Sequence, residues 1–530
     1  MVAVVTMTGL PEAVHVPAVH RRRPRSLVGS SAVVAALLIL PLVFLLLQAH
    51  QVGWTDLSAL LFRHLTGTLL WNTVRLSVVV TAAAAVIGTA AAWFVERTDL
   101  PGRRLWAVLV VIPVAIPDFV VSFGWVSVAP SLHGFGGATL VMTLAVYPLV
   151  YLPVAASFRG ADPGQEEVAR GLGLGRTRTF VRVSLAQARS AILGGCLLVA
   201  LALLAEYGAF EILRYQTFTT EIFTEFKVGN VPVACALSLV LVLLGFVLLT
   251  ADGFGRGGGR TSRSGPQAAR VRQPQRLGRG TVPVLAGFVA LAGLAVGVPV
   301  GTLVYWLMEG GRTTLPAAAS LSSAAWHSAG YSAGAAGLAT AAALPVALLS
   351  VRHPGRATMM LERSTFLVLA LPGVVIALAL VFFSERYAAY LYQRSVLLVV
   401  AYAILFFPLA LVAVRASVAQ APTGLEEMAR GLGCRPWSVL WRVTIRLVAP
   451  GLAAAFCLVF LSAVTELTST LILIPTGAQT LATQFWAYTT NLSYAAAAPY
   501  ATLMVVIAVI PSYLLGRWFN RLPSKAAITT

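Results

Sequence analysis

The chain has 530 residues, 58% of them hydrophobic and 11% charged, with a mean hydropathy of +0.84. Soluble proteins carry about 25% charged residues, so a soluble globular fold is excluded and an all-α polytopic membrane protein is expected. The net charge of +19 invites a nucleic-acid reading, which the placement of the basic residues along the chain argues against.

The N-terminal tail, 1–27, carries Arg21, Arg22, Arg23 and Arg25 ahead of an apolar run. That run is too long for a signal peptide and lacks a small-x-small cleavage site before Gln51, so it reads as an uncleaved first span over 28–48. A membrane-crossing helix needs roughly 20 mostly apolar residues. Further runs of that kind lie at 68–94, 106–129, 137–157, 191–213 and 231–250, completing a first six-span repeat over 28–250. Between its fourth and fifth spans stands a short charged stretch, EEVARGLG, at 166–173. Residues 251–281, with seven arginines and eight glycines, read as a flexible cytoplasmic linker. A second six-span repeat over 282–516 follows, with runs at 282–308, 326–350, 364–384, 395–414, 450–474 and 494–516, and a tail over 517–530 closes the chain. Here the charged stretch returns as EEMARGLG at 426–433.

The duplication extends beyond these stretches. Glu206 and Glu466 stand 260 residues apart, as do Pro148 and Pro408, while Trp71 matches Trp326 at 255. AIPDFVVSFGW (115–125) aligns with ALPGVVIALAL (370–380), and Pro101-Gly102-Arg103 with Pro354-Gly355-Arg356. Small length changes in loops are normal in a duplicated fold. With six spans per half the repeats insert in the same direction, about an axis along the membrane normal. With both termini placed on one side, 31 of the 38 Lys and Arg fall in the loops on that side and 6 in the opposite loops. Such a bias puts both termini, the linker and both charged stretches in the cytoplasm.

Each charged stretch reads as a helix followed by a glycine break. Asp162, Pro163 and Gln165 supply a cap, a proline at the first helical position and a capping-box partner; Thr423 and Glu426 form a T-x-x-E box in the second copy. Glu166 and Arg170, like Glu426 and Arg430, are four apart and support the helix. Gly173 and Gly433 suit helix ends. The amphipathic segments RTRTFVRVSLAQARSAI and RPWSVLWRVTIRLVAPGL then lead into the next span, giving a helix-turn-helix elbow at the membrane surface. A purely interfacial helix is the plain alternative, and two copies in register count against it.

The pattern Glu-x-Ala-x-x-x-Gly, nine residues, then Val-x-Leu or Val-x-Ile resembles the EAA loop of permease subunits from ATP-binding-cassette importers. In that family the loop is a coupling helix seated in a groove of the cytoplasmic ATPase. The resemblance therefore implies ATPase-coupling roles for Glu167, Ala169, Arg170 and Gly173, and for Glu427, Ala429, Arg430 and Gly433. Two departures stand out: the middle alanine is Val168 or Met428, and the closing proline is Ala186 or Arg446. The fused two-half layout is similar to the ferric-iron branch, whose relatives handle thiamine, polyamines and phosphonates. AEYGAFEILRYQTFTTEIF (205–223) also looks like the iron-type members. The partners implied are a cytoplasmic ABC ATPase dimer, an extracytoplasmic substrate-binding protein and membrane lipid, with no nucleic acid and no cofactor.

The chain's two lysines, Lys227 and Lys525, lie in no GxxxxGK[ST] loop. Its seven histidines and its cysteines (Cys196, Cys235, Cys434 and Cys457) show no metal-ligand or disulfide spacing. No catalytic or metal site is therefore expected, and ATP hydrolysis falls to a separate subunit. Charges inside spans are costly and mark pathways or internal pairs. Those here are Arg75, Asp118, Glu206, Glu211 and Glu466. Asp118, Glu206 and Glu466 are expected to line a translocation path, with Glu206 and Glu466 in equivalent places in the fifth spans. The alternatives are a structural hydrogen bond or a pair with Arg75. From another class, an ion-gradient-driven secondary transporter would show stronger ion-site signals and no repeated elbow.

Overall fold

The computed structural model describes residues 25–161, 163–255, 275–311 and 314–521. The expected cap Asp162, the central linker (256–274) and most of both tails lie outside the described residues. Among those described, the fold is all helical apart from one isolated parallel bridge, Thr98 to Gln275.

Among the described residues nine helices are long and apolar enough to cross a membrane, or eleven if two bent pairs each count as one span. Tyr494–Arg521 adds a last, less apolar helix. All the sequence runs have counterparts, but four of them are not simple spans. The runs at 106–129 and 364–384 are broken, with bends of 96° at Pro117 and 103° at Pro372. Each proline precedes the first residue of the outgoing helix, and a proline at that place disfavours continuation of the incoming one. The fifth runs, 191–213 and 450–474, are corrected too: the helices stop at Ala205 and Val464, and short helices Gly208–Ile212, Phe218–Lys227 and Thr468–Leu473 follow. The segment read as linker is shorter than expected. The preceding helix reaches Gly255, and Gln275 to Leu277 are pinned to the loop after residue 97.

Each half is built on the same three helices. His64–Arg97 packs on Pro148–Gly160 and Leu185–Ala205; Ala318–Arg352 packs in the same way on Ser395–Gln420 and Ile445–Val464. Small residues permit the approach, as is common where lipid-embedded helices pack closely. A Cβ on Gly88 would stand 2.8 Å from the Tyr147 carbonyl oxygen, and one on Gly195 2.7 Å from Val150 Cα. The first span of each half instead crosses to the other half. Helix Arg25–Val52 lies against Ala318–Arg352, Arg356–Phe366 and Gly373–Tyr387, with Phe44 edge-on to Phe383. Reciprocally, Val298–Glu309 packs on Asp118–Val128. There Thr302 Oγ1 donates to the Gly124 carbonyl, and Trp306 Nε1 donates to Ser127 Oγ. The exchange clamps the two halves together through their spans.

Candidate functional site

The elbows are near copies. Helix Pro163–Gly171 ends with Gly173 at φ +85°, and helix Thr423–Gly431 with Gly433 at φ +79°. The N–H of Gly173 donates to Arg170 and that of Leu174 to Ala169; Gly433 and Cys434 repeat the pattern to Arg430 and Ala429. This is the Schellman arrangement, whose left-handed position glycine occupies without a Cβ penalty. A helix then restarts at Arg176 or Pro436 and contains a π-turn, Phe180–Ser184 or Leu440–Thr444. The extra residue in such a turn shifts the helix face that follows.

The two adjacent glutamates of each elbow divide the work. Glu166 and Glu426 turn inward and are buried, while Glu167 and Glu427 are exposed. Glu166 Oε1 lies 3.4 Å from Arg97 Nη1 and accepts from Ser184 Oγ at 2.8 Å, and Arg170 approaches its other oxygen. Glu426 Oε1 lies 3.2 Å from Arg352 Nη2, and its Oε2 3.4 Å from Arg430 Nη2. The expected Thr423–Glu426 capping box does not form: Pro422 holds the cap position, and the carboxylate that would have reached back is committed to Arg352. A desolvated guanidinium left alone is far more costly than an uncapped, exposed amide.

Arg97 and Arg352 end the second spans of their halves and stand 255 residues apart, the offset of Trp71 and Trp326. In sequence each reads only as a loop cation. Their register with the elbow glutamates was the available signal. Each pair latches an elbow helix to a span that the chain reaches much earlier.

What the latch leaves outside is apolar and basic. Val168, Leu172, Met428 and Leu432 are exposed, Leu172 at 79% and Leu432 at 84%, beside the exposed Arg170 and Arg430. Val168 and Leu172, like Met428 and Leu432, are four apart and share a helix face. Ala169 is buried beneath its helix and Ala429 half-buried. No Cβ contact within 4 Å restrains Gly173 or Gly433.

The buried acids gather where the halves meet. Glu206 follows the last residue of its helix, and its Oε1 accepts from Ala209 N at 2.7 Å; Glu466 accepts from Ser469 N at 2.9 Å. Both carboxylates thus start the next short helix, and neither lies inside a span as expected. Thr219 and Thr470 hydroxyls donate to the Glu206 and Glu466 carbonyls. A Cβ on Gly208 would stand 2.6 Å from Leu467 Cδ2 and 3.0 Å from Phe119 Cβ, so the neighbours of all three acids touch. In the second half Gly373 replaces Asp118, and a Cβ there would stand 3.1 Å from Glu466 Oε1. Ser328, Ser332 and Tyr402 surround Glu466. Phe119, Phe123, Tyr207, Phe485 and Trp486 form a buried aromatic cluster across the halves beside the acids.

Among the described residues Arg75 pairs with no acid: its Nη2 donates to Tyr215 OH, and its guanidinium covers the Phe135 ring at 4.0 Å. Glu211 lines an open cavity with Arg75 that Glu206 does not line. Among the described residues no three His, Cys, Asp or Glu lie close enough together to hold a metal ion.

A family model described as "Binding-protein-dependent transport system inner membrane component" matches residues 84–254 and again 334–527. The chain is 37% identical to a Fe(3+)-transport system permease protein of Haemophilus influenzae over 91% of its own length and 96% of the relative's. It is 26% identical to the sulfate transport system permease protein CysT of Escherichia coli, over 42% of this chain and 88% of that one. It is also 27% identical to a probable molybdenum ABC transporter permease of Haloferax volcanii, over 34% of this chain and 73% of that one.

Proposed function

The chain belongs to the binding-protein-dependent transport system inner membrane components, and from that premise we propose that its cargo is ferric iron. It is a multi-pass membrane permease of an ATP-binding-cassette importer; its partners are a substrate-binding protein and an ATPase, and hydrolysis resides in the ATPase. Two elbows facing one side call for two grooves, hence an ATPase dimer. The basic bias of the loops supports a cytoplasmic location for both elbows and both termini. Residues 28–250 and 282–516 are the two six-span repeats.

The observation that carries the coupling role is the doubled latch. Because Glu166–Arg97 and Glu426–Arg352 tie each elbow to a core span, a push on the exposed face moves the helix bundle instead of merely bending a loop. On that face Glu167, Arg170, Glu427 and Arg430 meet the ATPase. Ala169 and Ala429 seat the helix on the bundle, and Gly173 and Gly433 set its length.

For the cargo, Asp118, Glu206 and Glu466 form a negative seam between the halves. Acids there lower the barrier for a trivalent cation and raise it for a sulfate or molybdate dianion. The resemblance to the iron-named relative spans nearly the whole chain, whereas the sulfate- and molybdenum-named ones match about half of it or less.

The test has two readouts. Glu167→Arg combined with Glu427→Arg should abolish co-purification of the ATPase while the chain stays in the membrane. Reconstituted with its ATPase and binding protein, the wild type should take up labelled ferric iron and not labelled sulfate. Retained ATPase binding overturns the coupling role, and sulfate uptake overturns the cargo.

A further inference from the structure

The two latches are built alike but enclosed differently. Around Arg97 the space is filled by aromatic rings: its guanidinium lies over Trp93 and Phe158, and Phe180 packs against Trp93 at 4.4 Å. By the repeat register the second half has Leu348, Val418 and Leu440 in those places. Leu348 and Leu440 line a partly open cavity of about 690 Å³ beside Arg352. Its walls come from three parts of the molecule: Leu27 and Ser30 of the crossed-over first span, Leu344 and Leu348 of the latched span, and Trp437 and Leu440 after the elbow.

The cavity is amphipathic from top to bottom. At the elbow end it presents Arg352, Arg430 and His353 with, among the described residues, one carboxylate, Glu426. Arg352 spends Nη2 on Glu426 and on the Ala421 carbonyl, and its buried Nε–H, like the Nε–H of Arg97, has no acceptor among the described residues. Towards the bundle the lining is leucine and proline. Trp437 and Trp441, edge to face at 5.7 Å and both more than half exposed, mark an interfacial level at the rim. In sequence, Arg25 and three further arginines precede Ser26. A basic pocket between spans at the cytoplasmic face is the setting in which anionic headgroups bind.

We propose that this cavity holds one anionic phospholipid of the cytoplasmic leaflet, with its phosphate at Arg352 and an acyl chain along Leu27, Leu344 and Leu348. The proposal takes from the reading above only that the elbows face the cytoplasm. The lipid bridges the exchanged first span to the second elbow, so the two latches differ in what stiffens them: protein rings in the first half and a lipid in the second.

Native mass spectrometry of the full chain, released from nanodiscs of phosphatidylcholine doped with phosphatidylglycerol, tests this. The wild type should keep one more phosphatidylglycerol per chain than Leu348→Trp, which installs the ring that the first half carries as Trp93. Ser30→Phe, from the opposite wall, should lose the same single lipid. Equal counts in wild type and variants, or phosphatidylcholine kept as well as phosphatidylglycerol, overturn the proposal. Displacement by millimolar glycerol phosphate would mean that a free phosphate ester suffices, and overturns the lipid assignment. Should neither variant reach the membrane, Ser30→Cys in a Cys434→Ser background, carrying a photoactivatable label, decides. A phosphatidylglycerol adduct supports the site, and labelling of an ATPase subunit or of nothing overturns it.

Discussion

The guanidinium of Arg97 lies 3.4 Å from the carboxylate of Glu166, both side chains being at least 95% buried. This contact ties the C-terminal end of the second span to the elbow helix, and Arg352 with Glu426 does the same in the second half. Breaking a buried pair by removing one partner costs roughly 3–5 kcal/mol, because the other charge is left uncompensated. Arg97→Met alone should therefore lower the melting temperature and abolish transport. Arg97→Met with Glu166→Gln should regain much of the stability without regaining ATP-coupled uptake. A double mutant no more stable than either single one would show that the pair does not act as a unit.

Gly173 and Gly433 test the elbow's end. Their φ values are positive and no atom lies within 4 Å of an added Cβ, so Gly173→Ala and Gly433→Ala carry a conformational cost alone, about 1–2 kcal/mol each. Stimulation of the ATPase by the binding protein should fall for each and fall further for both, with the chain still inserted. Gly195→Ala should behave differently, since its Cβ would meet the Val150 backbone at 2.7 Å. Its signature is a loss of folded protein, read as monodisperse yield in detergent.

At the seam, charge and hydrogen bonding are separable. Glu466→Gln keeps an oxygen for Ser469 N, and Glu206→Gln keeps one for Ala209 N. Both variants should fold as the wild type does and slow ferric-iron uptake about tenfold or more, as a lost stabilisation of about 1.4 kcal/mol or more requires. Alanine at either place removes the cap as well and should also lower stability by about 1 kcal/mol. Unchanged uptake in the glutamine variants would remove these acids from the path.

Orientation has a native probe. Cys434 is exposed on the second elbow, whereas Cys235 is buried. An impermeant maleimide should label Cys434 in inside-out vesicles and not in sealed right-side-out ones. Cys434→Ser should abolish that signal. Labelling from the outside would invert the topology and with it the coupling role.

Much of the architecture was legible in the chain itself. The duplication, the spans and the elbow helices follow from local pattern: repeated motifs, apolar run length, and a glycine at a helix end. Each depends on residues close in sequence, or on a count insensitive to packing. Tertiary structure decided the rest. Which of two adjacent glutamates turns inward depends on helix rotation, since one residue's step is more than a quarter turn. Its partner arrives from a span about 70 residues earlier in both halves. The breaks after Ala205 and Val464 and the crossing of the first spans likewise arise because a carboxylate, a backbone amide and an apolar face must each be satisfied by whatever the other half brings within reach, and apolar run length carries no record of that.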